Sequence, residues 1–296
     1  STFKQVVKDL SIKDQVPDSW AMLSELEPPP GLLATLYPYQ HSGSAVLRTL
    51  AKNDVGSLLA DEMGLGKTMQ VIALLLDTVD EGPSLVVMPA SLLVNWEREL
   101  LQFAPTLQVL RHAGSNRTGV ISGLKGHDVV LCSYETVLSD LSFLEEITWN
   151  IIALDEAQQI KNPDSQRSRV VKSLKCRVPV AITGTPVENY LTDMWSLYEF
   201  VLPELLGDRE SFEEEYENNV EAAESLGQLV KNFTVRRKVL EVAQDLPPRI
   251  DALVPFDPPF NTRHEYDSLV ESTPNKFMIS TSLRVLCAHS EKHIEK

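Results

Sequence analysis

The chain has 296 residues, 43% of them apolar, and a formal net charge of −15, enough for one large or two modest domains with a sizeable core. No apolar run reaches the roughly 18 residues that a membrane span needs, and the polar, charged start carries no secretory signal pattern. Cys132, Cys176 and Cys287 are too widely spaced for a metal pair or a disulfide framework, so the expected setting is a reducing intracellular compartment.

In chain order, residues 1–30 read as an N-terminal extension closed by Pro28-Pro29-Pro30-Gly31. From 31 to 205 short apolar strands alternate with longer helical stretches. The expected strands are 58–60, 85–88, 108–110, 129–133, 151–154 and 180–183. The expected helices are 68–76, 92–103, 134–141, 166–174 and 191–201. Such alternation implies βαβ units, hence an α/β fold with a mainly parallel sheet flanked by helices. Residues 206–296 differ: an acidic stretch at 208–224 and two proline pairs read as a helical insertion and a linker towards a further domain.

The most specific segment is Asp61-Glu62-Met63-Gly64-Leu65-Gly66-Lys67-Thr68, set between a short apolar strand and a helix. That setting suits a phosphate-binding loop, in which backbone N–H groups and a helix N-terminus face the phosphates. Lys67 would reach the β- and γ-phosphates, and the Thr68 hydroxyl would ligand Mg²⁺. Asp61 stands where the general phosphate-loop pattern has glycine. A second apolar strand, 151–154, ends in Asp155-Glu156. Asp155 would hold Mg²⁺ through water, and Glu156 would orient and deprotonate the attacking water. Thr183-Gly184-Thr185-Pro186 follows a third strand, where hydroxyls can bond to the neighbouring carboxylate strand.

The overall acidity argues against nucleic-acid binding, but charge distribution matters more than the total. Basic residues gather at 161–177 and at Arg236-Arg237-Lys238. Each run also suits a solvated helix face.

In order along the chain, Tyr39-Gln40, LADEMGLGKTMQ (59–70), VVMPASLLVNWEREL (86–100), LCSYETV (131–137), LDEAQQIKNP (154–163) and ITGTPVENYLTDMWSLYEFVLPELLG (182–207) resemble the SWI/SNF-type ATPases of helicase superfamily two. Phe233 to Pro248 and Leu283-Arg284 to His289 extend the match. DEAQ in place of DEAH makes the chain most similar to bacterial and archaeal members. The resemblance implies a RecA-like P-loop fold for 31–205, ATP and Mg²⁺ as cofactors, and backbone contact with double-stranded DNA by a translocating remodeler. It accounts for Asp61 and places Gly64, Leu65, Gly66, Lys67 and Thr68 at the nucleotide. Gln40 would read adenine. Gln158, Thr183, Gly184 and Thr185 would couple nucleotide state to DNA. Pro89, Ser91, Ser133, Tyr134, Lys161, Arg236 and Arg237 would touch DNA. It further implies a second RecA-like lobe beyond residue 296, without which turnover would be poor, and a nucleoprotein or polymerase-associated partner. Cytoplasm or nucleoid is the expected setting in a prokaryote, the nucleus in a eukaryote. Three departures stand out: Tyr37 replaces an arginine, Ser44-Ala45-Val46 replaces a tryptophan segment, and Lys238-Val239 replaces Thr-Lys. A strand-separating helicase shares the nucleotide motifs, although the Thr-Gly-Thr-Pro and DEAQ-IKNP signatures disfavour it. So does a nucleotide-gated module that holds a basic partner on the 208–224 arm.

Overall fold

The computed structural model describes residues 26–114, 117–184, 191–216, 220–242, 260–272 and 283. Among the described residues, its first compact unit, which ends at Gln244, begins with helix α1 (Pro38–Lys52), strand β1 (Ser57–Leu59) and helix α2 (Lys67–Asp77). There follow β2 (Ser84–Met88), α3 (Leu93–Phe103), β3 (Val109–Arg111), α4 (Ile121–Lys125), β4 (Val129–Ser133), α5 (Tyr134–Ser139) and α6 (Leu141–Leu144). Then come β5 (Trp149–Leu154), α7 (Gln166–Ser173), β6 (Cys176–Ile182), α8 (Leu191–Val201), α9 (Arg209–Tyr216), α10 (Val220–Val230), β7 (Thr234–Val235) and α11 (Val239–Val242). The second unit, from Asp245, contributes α12 (Phe260–Ser272).

The seven strands form one sheet in the order β3-β4-β2-β5-β6-β1-β7, with every pairing parallel. Alternate residues of each strand enter opposite cores. Leu58, Val87, Cys132, Ile152 and Ala181 face one, while Leu59, Val86, Leu131, Ala153 and Ile182 face the other. Continuous apolar runs are what a sheet covered by helices on both faces requires. No helix among the described residues is long and apolar enough to cross a membrane.

The expected strands recur within a few residues. Helix 134–141 is instead two short helices parted at Asp140, whose carboxylate meets His112 Nε2 at 2.8 Å and Arg117 Nη1 at 3.1 Å. The sheet also does not finish near residue 205. Val235 aligns with Leu59, so β7 adds an edge strand after the helices α9 and α10. Within the acidic arm, α9 buries Phe212 and keeps Glu210, Glu214 and Glu215 on its exposed side. The proline pair at 247–248, Thr185, Arg284 and His289 lie outside the described residues.

Helix α1 lies close against α2. A Cβ on Gly43 would come within 2.0 Å of Gln70 Oε1. Arg48 bridges to Asp77 at 2.7 Å across the same helix pair. At Gly56 a Cβ would sit 2.0 Å from the Val201 carbonyl oxygen and 2.8 Å from that of Pro179. Both are backbone atoms that a side chain cannot push aside. Gly56→Ala should therefore destabilise the chain by about 3 kcal/mol. Gly227→Ala, at an exposed position of α10 with nothing within 4 Å, should stabilise it by about 0.5–1 kcal/mol. Denaturant midpoints of the two variants check both signs.

Candidate nucleotide site

A parallel sheet gathers its strand ends along one edge, and the candidate residues lie there. The loop after β1 carries Gly64, Gly66 and Lys67, the turn after β5 carries Asp155 and Glu156, and Thr183 and Gly184 follow β6. A cleft of about 860 Å³ opens at this edge. Its walls include Tyr37, Gln40, Gly64, Lys67, Thr68 and Asp155-Glu156.

Two glycines shape the loop. Gly64 and Gly66 have φ of 88° and 70°, left-handed conformations that favour glycine. A Cβ on Gly66 would also lie 2.2 Å from Gln40 Nε2. That amide donates to the Leu65 carbonyl at 3.2 Å, while Gln40 Oε1 accepts from the Tyr37 backbone N–H at 3.0 Å. Gln40 thus pins the start of α1 to the loop, with one amide hydrogen and one oxygen lone pair left for a base edge. Lys67 Nζ donates to the carbonyls of Asp61 at 2.9 Å and Glu62 at 3.3 Å. Tyr37 is exposed at the cleft mouth, its ring stacked on that of Tyr39 with centroids 5.7 Å apart.

On the facing side, Asp155 Oδ2 accepts from Trp96 Nε1 of α3 at 2.8 Å, and Oδ1 accepts from the Glu156 backbone N–H at 2.9 Å. Burial pushes the Asp155 carboxyl above the usual carboxylate range, and these two donors pull it back. Glu156 holds a left-handed backbone, φ 50° and ψ 50°, which for a non-glycine residue costs on the order of 1–3 kcal/mol. Its carboxylate accepts from Gln158 Nε2 at 2.6 Å, and Gln158 Oε1 accepts from the Thr183 hydroxyl at 2.8 Å. Strand β6 lies between β5 and β1, so Thr183 is placed to bridge the two halves of the site. A Cβ on Gly184 would lie 3.8 Å from Lys67 Nζ, which brings that segment against the phosphate loop.

Several expected residues take other positions. Asp61 does not face the cleft: it is fully buried, with its carboxylate bonded to Arg237 and Gln70. Arg237 accordingly turns inward and is no surface DNA contact; a buried carboxylate needs the paired cation. The Leu65 side chain is buried, so only its backbone belongs to the loop surface. Tyr134 is 1% exposed and its hydroxyl donates to the Asp155 carbonyl at 2.9 Å. Burial raises its pKa well above the ordinary value, which keeps it a neutral donor beneath Asp155. The Ser133 hydroxyl caps α5 by accepting from the Thr136 backbone N–H at 3.1 Å. Ser91 and Arg236 are exposed, and Pro89 and Lys161 are half-buried. Sequence reasoning missed Trp96 and Gln70. Both fall inside matched segments, but neither is chemically reactive, and only their contacts reveal them.

The site's chemistry, a phosphate loop with a carboxylate pair opposite, defines a P-loop nucleotide-binding protein. Comparison with known proteins narrows that class. The profile of the SNF2-related domain matches residues 39–292. The Bacillus subtilis protein named "Putative ATP-dependent helicase/translocase YwqA" is 39% identical over 244 residues, covering 77% of this chain and 26% of its own length. The ISWI chromatin-remodeling complex ATPase ISW2 of Saccharomyces cerevisiae is 37% identical over 234 residues, covering 74% of this chain and 21% of its own length. The chain therefore spans about a quarter of the length of such relatives. Among solved structures, the Sulfolobus solfataricus SWI2/SNF2 ATPase core in complex with dsDNA superposes with a TM-score of 0.69 at 37% identity. That match covers 83% of this chain and 54% of the other. The chain belongs to the SNF2-related family, and its fold is the RecA-like first lobe of such an ATPase core.

Trp96→Phe would leave Asp155 Oδ2 without its indole donor. The expected cost near neutral pH is about 1–3 kcal/mol. Loss of a bond that favours the charged carboxylate raises the folded-state pKa further. The penalty should therefore shrink as pH falls and Asp155 takes up a proton. Urea unfolding of both proteins across the acid range checks the trend.

Proposed function

We propose that this chain binds ATP with Mg²⁺ as the first lobe of a DNA-dependent ATPase that moves along double-stranded DNA and remodels protein–DNA complexes. The observation that carries the reading is the single cleft shared by Lys67, Thr68, Asp155 and Glu156, with Glu156 tied through Gln158 to Thr183. Lys67 would exchange its two loop carbonyls for the β- and γ-phosphate oxygens. The Thr68 hydroxyl and the Asp155 carboxylate are hard oxygen donors of the kind Mg²⁺ takes. The bound ion would supply charge neutralisation at the phosphates. Glu156 would accept the proton of the attacking water. Gln40, with its remaining donor and acceptor, would hold the adenine edge.

Among the described residues lining the cleft, Lys67 is the one cation. Charge that builds on the transferring phosphoryl group calls for more, and arginines from a second lobe would provide it. Turnover by residues 1–296 alone is accordingly expected to be weak. The Sulfolobus relative was solved with duplex DNA. Backbone contact without base reading fits the exposed candidates here, Ser91 and Arg236, together with Pro89 and Lys161. The Gln158–Thr183 bridge, with Gly184 beside Lys67 and Thr185 following, would pass nucleotide state towards such contacts.

The test is steady-state ATP turnover by a protein carrying both lobes, with and without duplex DNA. Strong duplex stimulation, lost by a factor of about 10²–10⁴ in Glu156→Gln, is the expected outcome. Lys67→Ala should abolish binding of a fluorescent ADP analogue to the 296-residue chain. Nucleotide binding with no duplex-stimulated turnover would overturn the motor reading.

A further inference from the structure

The segment that follows β7 runs directly beside the first half of the phosphate loop. Ala60 N–H donates to the Val235 carbonyl at 2.7 Å, and Glu62 N–H donates to the Arg237 carbonyl at 3.0 Å. Val239 N–H in turn donates to the Glu62 carboxylate at 2.7 Å. Residues 235–239 are thereby laced to 60–62, although Arg237 and Asp61 stand 176 positions apart in the chain.

At the centre of this seam the Arg237 guanidinium enters the interior. Its Nε donates to Asp61 Oδ1 at 2.9 Å, and its Nη2 donates to Asp61 Oδ2 and to Gln70 Oε1, the latter at 2.7 Å. Its Nη1 donates to the Tyr39 carbonyl, and its Cζ lies 5.5 Å from the Tyr39 ring centroid. The Asp61 carboxylate is 0% exposed. Space for the fork exists because residue 43 is glycine: a Cβ there would lie 2.4 Å from Arg237 Nη2. The partners of Arg237 are the neighbours of the nucleotide groups. Tyr39 adjoins Gln40, the Asp61 carbonyl holds Lys67 Nζ, and Gln70 lies on α2 one turn past Lys67.

We propose that Arg237 is a positioning residue of the nucleotide site, fixing the phosphate loop through Asp61 and coupling that loop to the chain leaving β7. This rests on the nucleotide-binding reading above. Arg237 touches neither phosphate nor base in this scheme; it acts through Asp61, Gln70 and Tyr39. Only a planar fork of five donors meets four acceptor atoms on three residues in these directions, so lysine is a poor replacement. Coupling is reciprocal: if the seam tightens the loop on nucleotide, nucleotide must tighten the seam.

The test uses the 296-residue chain, a fluorescent ADP analogue with Mg²⁺, and hydrogen–deuterium exchange. In the parent, nucleotide should slow exchange of the backbone amides at 236–239. Arg237→Lys should weaken nucleotide binding about tenfold, within the usual range of coupling between sites, and should abolish that slowing. Arg237→Gln leaves a buried carboxylate unpaired and invites unfolding. The double variant Asp61→Asn with Arg237→Gln removes both charges and keeps hydrogen-bonding groups. It should fold, with a cooperative melt, and still show the weakened affinity. Parental affinity in a folded Arg237→Lys or double variant would overturn the proposal, as would nucleotide-independent exchange at 236–239 in a parent that binds. A parent that binds no nucleotide would instead overturn the reading on which the proposal rests.

Discussion

Seven strands running in one direction put seven carboxyl ends on one edge of the sheet, and the chemistry of this protein depends on that constraint. Ligands of open α/β sheets sit beyond those ends. Here the order β5-β6-β1 sets the acidic turn and the phosphate loop two strands apart, with β6 between them. The segment after β6 therefore enters the gap between the two halves of the site. Thr183 and Gly184 occupy a position from which both halves are within reach. No side chain had to be long to achieve this; the parallel register did it.

Within that frame the site keeps charge where charge is costly. Asp155 is partly buried, and burial alone would favour its protonated form. An indole N–H and a backbone N–H offset the cost at either oxygen. Tyr134 supports the same turn from below through the Asp155 carbonyl. Glu156 then stands on a backbone conformation that side chains seldom adopt, which aims its carboxylate away from the strand line and towards Gln158. Strain and desolvation of this kind are tolerated where the surroundings are packed, and the strand behind the turn is buried along its whole length.

Much of this was legible in the sequence because the signals were local. A strand, a glycine-rich turn and a helix follow one another without a break, and an apolar run ending in Asp-Glu is equally compact. What was illegible depends on distance along the chain. β7 is two residues long, too short to show a period, and is a strand only because β1 lies beside it. Helix α1 buries Gln40, Gly43, Ser44 and Arg48 beside Val46, Leu47 and Ala51, so its buried face does not read as an apolar stripe. Arg237 reads as surface charge beside Arg236 and Lys238, and only the fully buried Asp61 shows otherwise. The resemblance places Ser133 and Tyr134 in a segment that touches DNA, and in this structure both hydroxyls bond within the protein. Family resemblance located the motif positions but could not say which way each side chain faces.

The placement of β1 also governs the order in which the molecule can be assembled. Both of its neighbours, β6 and β7, are made long after it, whereas β2, β4 and β5 find partners within a shorter stretch. During synthesis the native partners of the phosphate-loop strand emerge only after β2, β4 and β5 have been made. Pairings of such sequence separation are slow to form, because the chain between must be ordered before any contact rewards it. The strand before the phosphate loop thus takes both of its sheet neighbours from residues 176 and beyond. A chain interrupted before β6 would lack both strands that pair with β1.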